Sequence, residues 1–385
     1  MTASRLDAIL ADATATIPGV VAMATTAATT IYEGAAGTRD AAGTKMTTDT
    51  IFGLASMTKA IVSAAAMQQV DAGTLTLDGP LAAVLPALAN PEVLEGFAPD
   101  GTPRLRPASG AITLRHVLSH SAGYGYDTWN PEIRQFLKHR TMPRVPENVD
   151  ELACTPLLFD PGTGWNYGIN TDVVGLAVEA VTGQRLDHHL RDNLLAALGM
   201  SDTAVTLSPA QRARLATTQQ RQSATSFSDL GPILERPPQY CMGGGALLGT
   251  GRDYLRFIRL ILNGGMHEGT SLLSPASITE MSRNQLAPGI KVHRMMSANP
   301  NRSNDAEFFP GMTKHWSTAF MINTEQAPTG RSADSLAWAG IANTYCWIDR
   351  TRGLGGVFLT QTLPFADPAT LEAFAHFETA IYAFS

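Results

Sequence analysis

Strand-forming runs gather at the two ends of this chain, and helix-forming runs fill its middle. Residues 20–26, 29–35 and 50–54 read as strands near the start, set off by Pro18-Gly19, Ala27-Ala28 and Gly37. Residues 317–324, 335–339, 342–348 and 353–362 read as four strands near the end, and 367–384 as a closing helix. A first amphipathic helix spans 3–14, with Leu6, Ile9, Leu10 and Ala13 on one face. Helical patterns then cover 60–72, 113–119, 131–139, 147–154, 173–182, 186–199, 252–262 and 275–283. Residues 89–110, 208–230 and 286–314 show little periodicity and read as loops. The economical solution is one sheet built from both chain ends, terminal helices on one face and a helical insert between. That is an α+β architecture. It divides into a sheet domain, residues 1–60 with 240–385, and a mainly helical domain, 61–239, with a cleft between them.

A length of 385 residues is too long for one ordinary core, which supports the two-part division. Hydrophobic content of 44% against 16% charged residues is a globular profile. The net charge of −6, with no basic stripe, argues against a nucleic-acid partner. Cys154, Cys241 and Cys346 are odd in number and far apart, so neither a disulfide framework nor a zinc site is expected. No metal or cofactor is expected. The first residues carry charges between short apolar stretches and make no signal peptide. No run of 18 apolar residues occurs, so no membrane span or membrane partner is expected, and the expected compartment is the cytoplasm.

The chemistry-bearing stretch is Ser56-Met57-Thr58-Lys59. A strand-like run ends just before it, and a helix-like run begins just after. Ser56 therefore sits at a helix start, and Lys59 shares its face three residues on. A hydroxyl beside an amine, next to unpaired backbone N–H groups of a first turn, is the minimum for acyl transfer. Ser-x-x-Lys alone is weak, because serine is also a common helix cap.

Three further segments accompany it. They are 114–123, reading Leu-Arg-His-Val-Leu-Ser-His-Ser-Ala-Gly; Tyr167 within Asn166-Tyr167-Gly168-Ile169-Asn170; and Trp338-Ala339-Gly340. Together the four segments resemble the serine hydrolases related to class C β-lactamases and D-alanyl-D-alanine peptidases, and most of all the family VIII carboxylesterases. The likeness runs from about residue 18 to the end. It implies a β-lactamase-like fold with an antiparallel sheet, catalytic roles for Ser56, Lys59 and Tyr167, and an oxyanion hole from the backbone N–H groups of Ser56 and Ile341. Gly340 would allow close backbone approach there.

Two positions depart from the lactamase pattern. Ile169 stands where the second motif carries Asn, and Trp338 where the third carries Lys. An indole offers an N–H and apolar area but no charge. Both departures resemble the esterase branch and imply a neutral ester substrate. Trp338 and Gly340 are thus candidate substrate-binding residues, with core packing the alternative for Trp338. Tyr124 and Tyr126 are candidates for the acyl or alcohol pocket, with surface packing as the alternative. Lys59 and Tyr167 have ordinary pKa values of about 10.4 and about 10, so either needs its surroundings to act as base near neutrality. The sequence leaves that choice open; the adopted assignment makes Tyr167 the base and acid, tuned by Lys59. His120 tempts a Ser-His-Asp reading, but His116 and His120 fit better as residues holding their own backbone, and no Gly-x-Ser-x-Gly is present. The expected partner is a small ester hydrolysed through an acyl-Ser56 enzyme. A β-lactamase, a D-amino-acid peptidase or amidase, an acyltransferase, and a non-catalytic binding protein are the alternatives.

Overall fold

A computed structural model of the chain describes residues 3–232 and 241–384. Seven antiparallel strands form its central sheet: β1 (Gly19–Thr26), β2 (Thr30–Gly37), β3 (Lys314–Trp316), β4 (Met321–Asn323), β5 (Leu336–Gly340), β6 (Thr344–Asp349) and β7 (Leu354–Leu359). Their order is β3-β4-β5-β6-β7-β1-β2. The two chain ends meet where β1 pairs with β7, Val21 opposite Leu359 and Thr26 opposite Leu354.

Period-two alternation assigns the two faces. Val20, Ala22 and Ala24 of β1 pack with Leu6 and Leu10 of α1 (Ala3–Ala13) and with Phe374, Phe377 and Ile381 near the C-terminus. Val21 and Met23 point to the opposite core, shared with α2 (Thr58–Asp71) and with Asn170–Thr182 and Gly251–Leu262. Both faces are covered, so the strand residues from 336 to 349 and 354 to 359 within β5, β6 and β7 are buried without exception.

Helix α2 is buried from Thr58 through Met67. Its alanine-rich sequence, apolar on all sides, suits a helix inside the molecule better than one at its surface. The helix Leu114–Leu118 starts on a capping box: Thr113 accepts from the His116 N–H, and the His116 side chain accepts from the Thr113 N–H.

The structure corrects several expectations. Residues 89–110 are not loop; Glu92–Phe97 and Pro103–Pro107 form a hairpin. Part of 208–230 is also sheet, because Thr218–Arg221 pairs with Phe227–Gly231 and with Thr362–Leu363. The insert is therefore less purely helical than its periodicity implies. The strand expected at 50–54 shrinks to Phe52–Gly53 and pairs outside the main sheet, with Leu248–Gly249. Lys314–Trp316, expected as loop, is the sheet's edge strand. The domain boundary expected at 239/240 lies outside the described residues.

Candidate active site

Backbone geometry builds the nucleophile position. Phe52 and Gly53 are tied to the facing strand, and the Leu54 N–H bonds the Leu247 carbonyl at 2.9 Å. The next residue, Ala55, has φ of +47°, a left-handed conformation that costs a non-glycine residue free energy. Its reversal starts a 3₁₀ turn, Ala55–Met57, that leads straight into α2. Ser56 thus stands on a strained strand-to-helix corner, partly exposed, while Lys59 one turn later is 1% exposed.

Lys59 Nζ bonds Ser56 Oγ at 3.1 Å, the Tyr126 hydroxyl at 3.1 Å and the Gly244 carbonyl at 2.8 Å. Three acceptors match the three donors of an ammonium. Gly244 can come this close because it has no side chain. A Cβ there would lie 2.6 Å from Asp172 Oδ2, 2.8 Å from the Tyr126 oxygen and 3.2 Å from Lys59 Nζ. Asp172 is buried and accepts the Gly244 N–H at 3.0 Å. Burial pushes its carboxyl above the usual range, opposed by Lys59, the Gly244 N–H and the Tyr126 hydroxyl.

Tyr167 lies against this cluster from the other side. Its ring centroid is 4.9 Å from Lys59 Nζ, at cation–π distance. Its hydroxyl accepts the indole N–H of Trp338 at 3.1 Å. Among the described residues, no hydrogen bond joins Tyr167 to Ser56 or Lys59; the phenol bonded to Lys59 is that of Tyr126.

The segment carrying Tyr167 is zipped to the loop after Leu118. The Asn166 N–H bonds the His120 carbonyl at 2.9 Å, and Asn166 Nδ2 bonds the Tyr124 carbonyl at 3.0 Å. Asn170 Nδ2 meets His120 Nδ1 at 3.0 Å. Burial, and secondarily Lys59, holds His120 well below the usual imidazole range, so it sits neutral and accepts at Nδ1. His116 and His120 therefore hold backbone and loop, as expected. Trp316 completes the aromatic packing, 4.4 Å from Trp338 and 4.9 Å from His120 between ring centroids.

A cleft opens beside Ser56, lined by Tyr126, Trp129, Val145, Met242 and Ile341 together with polar Asp127, Thr128, Arg144 and Arg302. Arg144 is clamped by Asp127 through two bonds of 2.6 Å. Ile341, the expected second oxyanion donor, sits one residue past the last β5–β6 pair, Gly340 opposite Thr344, and lines the same cleft as Ser56. Gly340 packs on the nucleophile corner: a Cβ there would meet the Leu54 carbonyl at 2.5 Å and Ala55 Cβ at 3.1 Å.

Two expected pocket residues lie elsewhere. Tyr124 is not in the cleft; at 1% exposure it belongs to the core on the helical side of the sheet. Its position follows from Gly168, whose missing side chain lets the Tyr124 carbonyl close on the Tyr167 segment. Trp338 is also off the cleft, 4% exposed between Tyr167, Trp316 and Phe308. Its role here is to hold Tyr167. Ile169 packs in the apolar core. Sequence reasoning missed Asp172 and Gly244, although Gly243-Gly244-Gly245 was a signal for close backbone approach. Trp129, Arg144, Val145 and Met242 carried no such signal.

A serine held by a buried lysine, with aromatic hydroxyls gathered around that lysine, on this sheet-and-helix frame, defines a serine hydrolase or acyltransferase of the β-lactamase type. The chain belongs to that family: residues 6–381 match the family model described as Beta-lactamase. It is 32% identical over 330 residues to a lovastatin esterase of Penicillium rubens, covering 82% of this chain and 80% of that protein. It is 30% identical over 344 residues to the monacolin J acid methylbutanoyltransferase of Aspergillus terreus, covering 87% and 82%. A mutant simvastatin synthase from Aspergillus terreus superposes with a TM-score of 0.86 at 28% identity, covering 99% of this chain and 96% of that one. No helix among the described residues is long and apolar enough to cross a membrane.

Proposed function

We propose that this enzyme is a carboxylesterase of the family VIII type that hydrolyses small neutral esters through an acyl-enzyme on Ser56. The observation that carries the reading is the 3.1 Å contact from Lys59 Nζ to Ser56 Oγ at the mouth of the cleft. Ser56 Oγ attacks the ester carbonyl carbon, its proton passes to a base, and the alkoxide leaves with a proton. Water then attacks the acyl carbon and releases the acid and Ser56. The Ser56 and Ile341 N–H groups are assigned to the carbonyl oxygen as it becomes negative.

Two phenols stand near the proton's path, and their surroundings differ. Tyr126 lies close to the Asp172 carboxylate, which opposes negative charge on its oxygen. Tyr167 receives an indole N–H and lies beside the Lys59 ammonium, and both favour negative charge on its ring and oxygen. We therefore assign proton uptake to Tyr167, which must reach Ser56 in the substrate complex, where catalytic hydrogen bonds tighten. Tyr126 orients Lys59. A neutral substrate fits because Trp338 brings no charge and Arg144 is already held by Asp127.

The test is a panel of nitrophenyl esters of increasing acyl length, with one β-lactam and one D-amino-acid amide. Short esters should turn over, and Ser56→Ala should lose at least about a thousandfold in kcat. An organophosphonate should label Ser56. Rapid β-lactam cleavage without ester turnover, or a label elsewhere, would reject the proposal. Acyl transfer to an alcohol is the second reading. It is favoured by the annotated transferase activity of the Aspergillus terreus relative, and adding alcohol to the assay should then yield a new ester at the expense of acid.

A further inference from the structure

A second cavity lies behind Trp338, on the face of the sheet covered by α6 (Pro368–Phe384). It measures about 300 Å³ and shares no lining residue with the cleft at Ser56. Its walls are largely aromatic and apolar: Phe308, Phe309, Trp338, Tyr345, Leu371 and Phe374. A space this size, lined by carbon, forfeits the dispersion contacts that a packed core would make. Water is a poor filling for it, since a buried water needs two to four polar partners.

The polar groups on its wall decide what would fit. Arg331 and Glu378 both line it, 2% and 1% exposed, and pair through bonds of 2.5 and 2.8 Å. Lys314 pairs with the lining residue Glu307 at 3.4 Å. The charges cancel within the wall, so an ionised ligand would be desolvated with no free counter-charge to meet it. Thr329 differs: its hydroxyl is buried, lines the cavity and has no hydrogen-bond partner. A native structure seldom leaves such a group unsatisfied without a reason.

We propose that this cavity is a second binding site, for a neutral, mainly apolar small molecule carrying one hydrogen-bonding group that meets the Thr329 hydroxyl. The aromatic walls take its body, edge or face. Its occupant would touch the indole that holds Tyr167, yet the site itself does not depend on the reaction assigned to Ser56.

The probe is 1-naphthol, titrated calorimetrically into the full chain, with 1-naphthoate as the charged counterpart. One naphthol should bind per chain, and naphthoate at least about tenfold more weakly, because burying an unpaired carboxylate is costly. Ala375→Trp, which fills the cavity from α6, should weaken naphthol binding at least about tenfold by overpacking it. Thr329→Val keeps the shape, removes the hydroxyl, and should weaken binding about three- to tenfold. It keeps the test decisive if Ala375→Trp fails to fold. Absence of saturable binding, binding that survives Ala375→Trp in folded protein, binding unchanged in Thr329→Val, or equal affinity for naphthoate would each overturn the site.

Discussion

At the scale of single residues, the site turns on which oxygen each donor reaches. Lys59 spends its three N–H groups on Ser56, Tyr126 and Gly244, and Trp338 spends its one on Tyr167. Substituting the two tyrosines separates their roles. Tyr167→Phe removes the assigned base and should lower kcat by about a hundredfold or more. Tyr126→Phe leaves Lys59 one acceptor short and should cost about tenfold in kcat, roughly the value of a hydrogen bond to a charged group. Steady-state kinetics on one nitrophenyl ester reads both, and a larger loss in Tyr126→Phe would exchange the assignments. Ser56, Lys59 and Tyr167 were legible because their spacing and neighbours form recognisable motifs. Asp172 and the Trp338–Tyr167 bond were not, because nothing local in the sequence states which distant side chain an indole will meet.

At the scale of elements, catalysis depends on how β5 and the nucleophile corner press together. Gly340 closes against the Leu54 carbonyl with no room for a methyl group. Gly340→Ala must push the strand and the corner apart, moving Ser56 relative to Ile341. The expected cost is about 1–3 kcal/mol in stability, as for other overpacked contacts. The accompanying loss in kcat should be about ten- to a hundredfold, as when an oxyanion donor is misplaced. Urea unfolding and ester kinetics on the same preparation would check it; unchanged kcat would remove this contact from the site. Elements with strong internal signals, such as α1, the Thr113-capped helix and the late strands, were readable from periodicity and caps. The hairpin at 92–107 was not: its strands are half-exposed and hold prolines at their ends, so they lack a clear alternation. Lys314–Trp316 was missed for a similar reason, since three residues are too few to show a period.

At the scale of the whole molecule, buried histidines couple stability to pH. His120 is held neutral, its folded value well below the ordinary one, while the unfolded chain protonates it near pH 6.5. The unfolded state therefore binds more protons as pH falls below that value, and stability declines toward the depressed folded value. His116 and His189 are lowered in the same direction, again first by burial. The urea midpoint should fall between pH 7.5 and about 5.5, with a slope of at most about 1.4 kcal/mol per pH unit for each histidine. His120→Gln keeps an acceptor for Asn170 and should flatten this decline in part. An equally steep decline in the variant would show that His120 does not carry it.

The sequence by itself determined the class of fold and the nucleophile. A sheet shared by two chain ends follows from where the strand-forming runs lie, and a serine and lysine one helical turn apart follow from helix geometry. Only the tertiary structure decided which phenol lies on the lysine, which indole holds the other, and that Tyr124 leaves the cleft for the core. Those choices link residues more than 40 positions apart, and they are made by packing and desolvation in three dimensions, which no local period or spacing records.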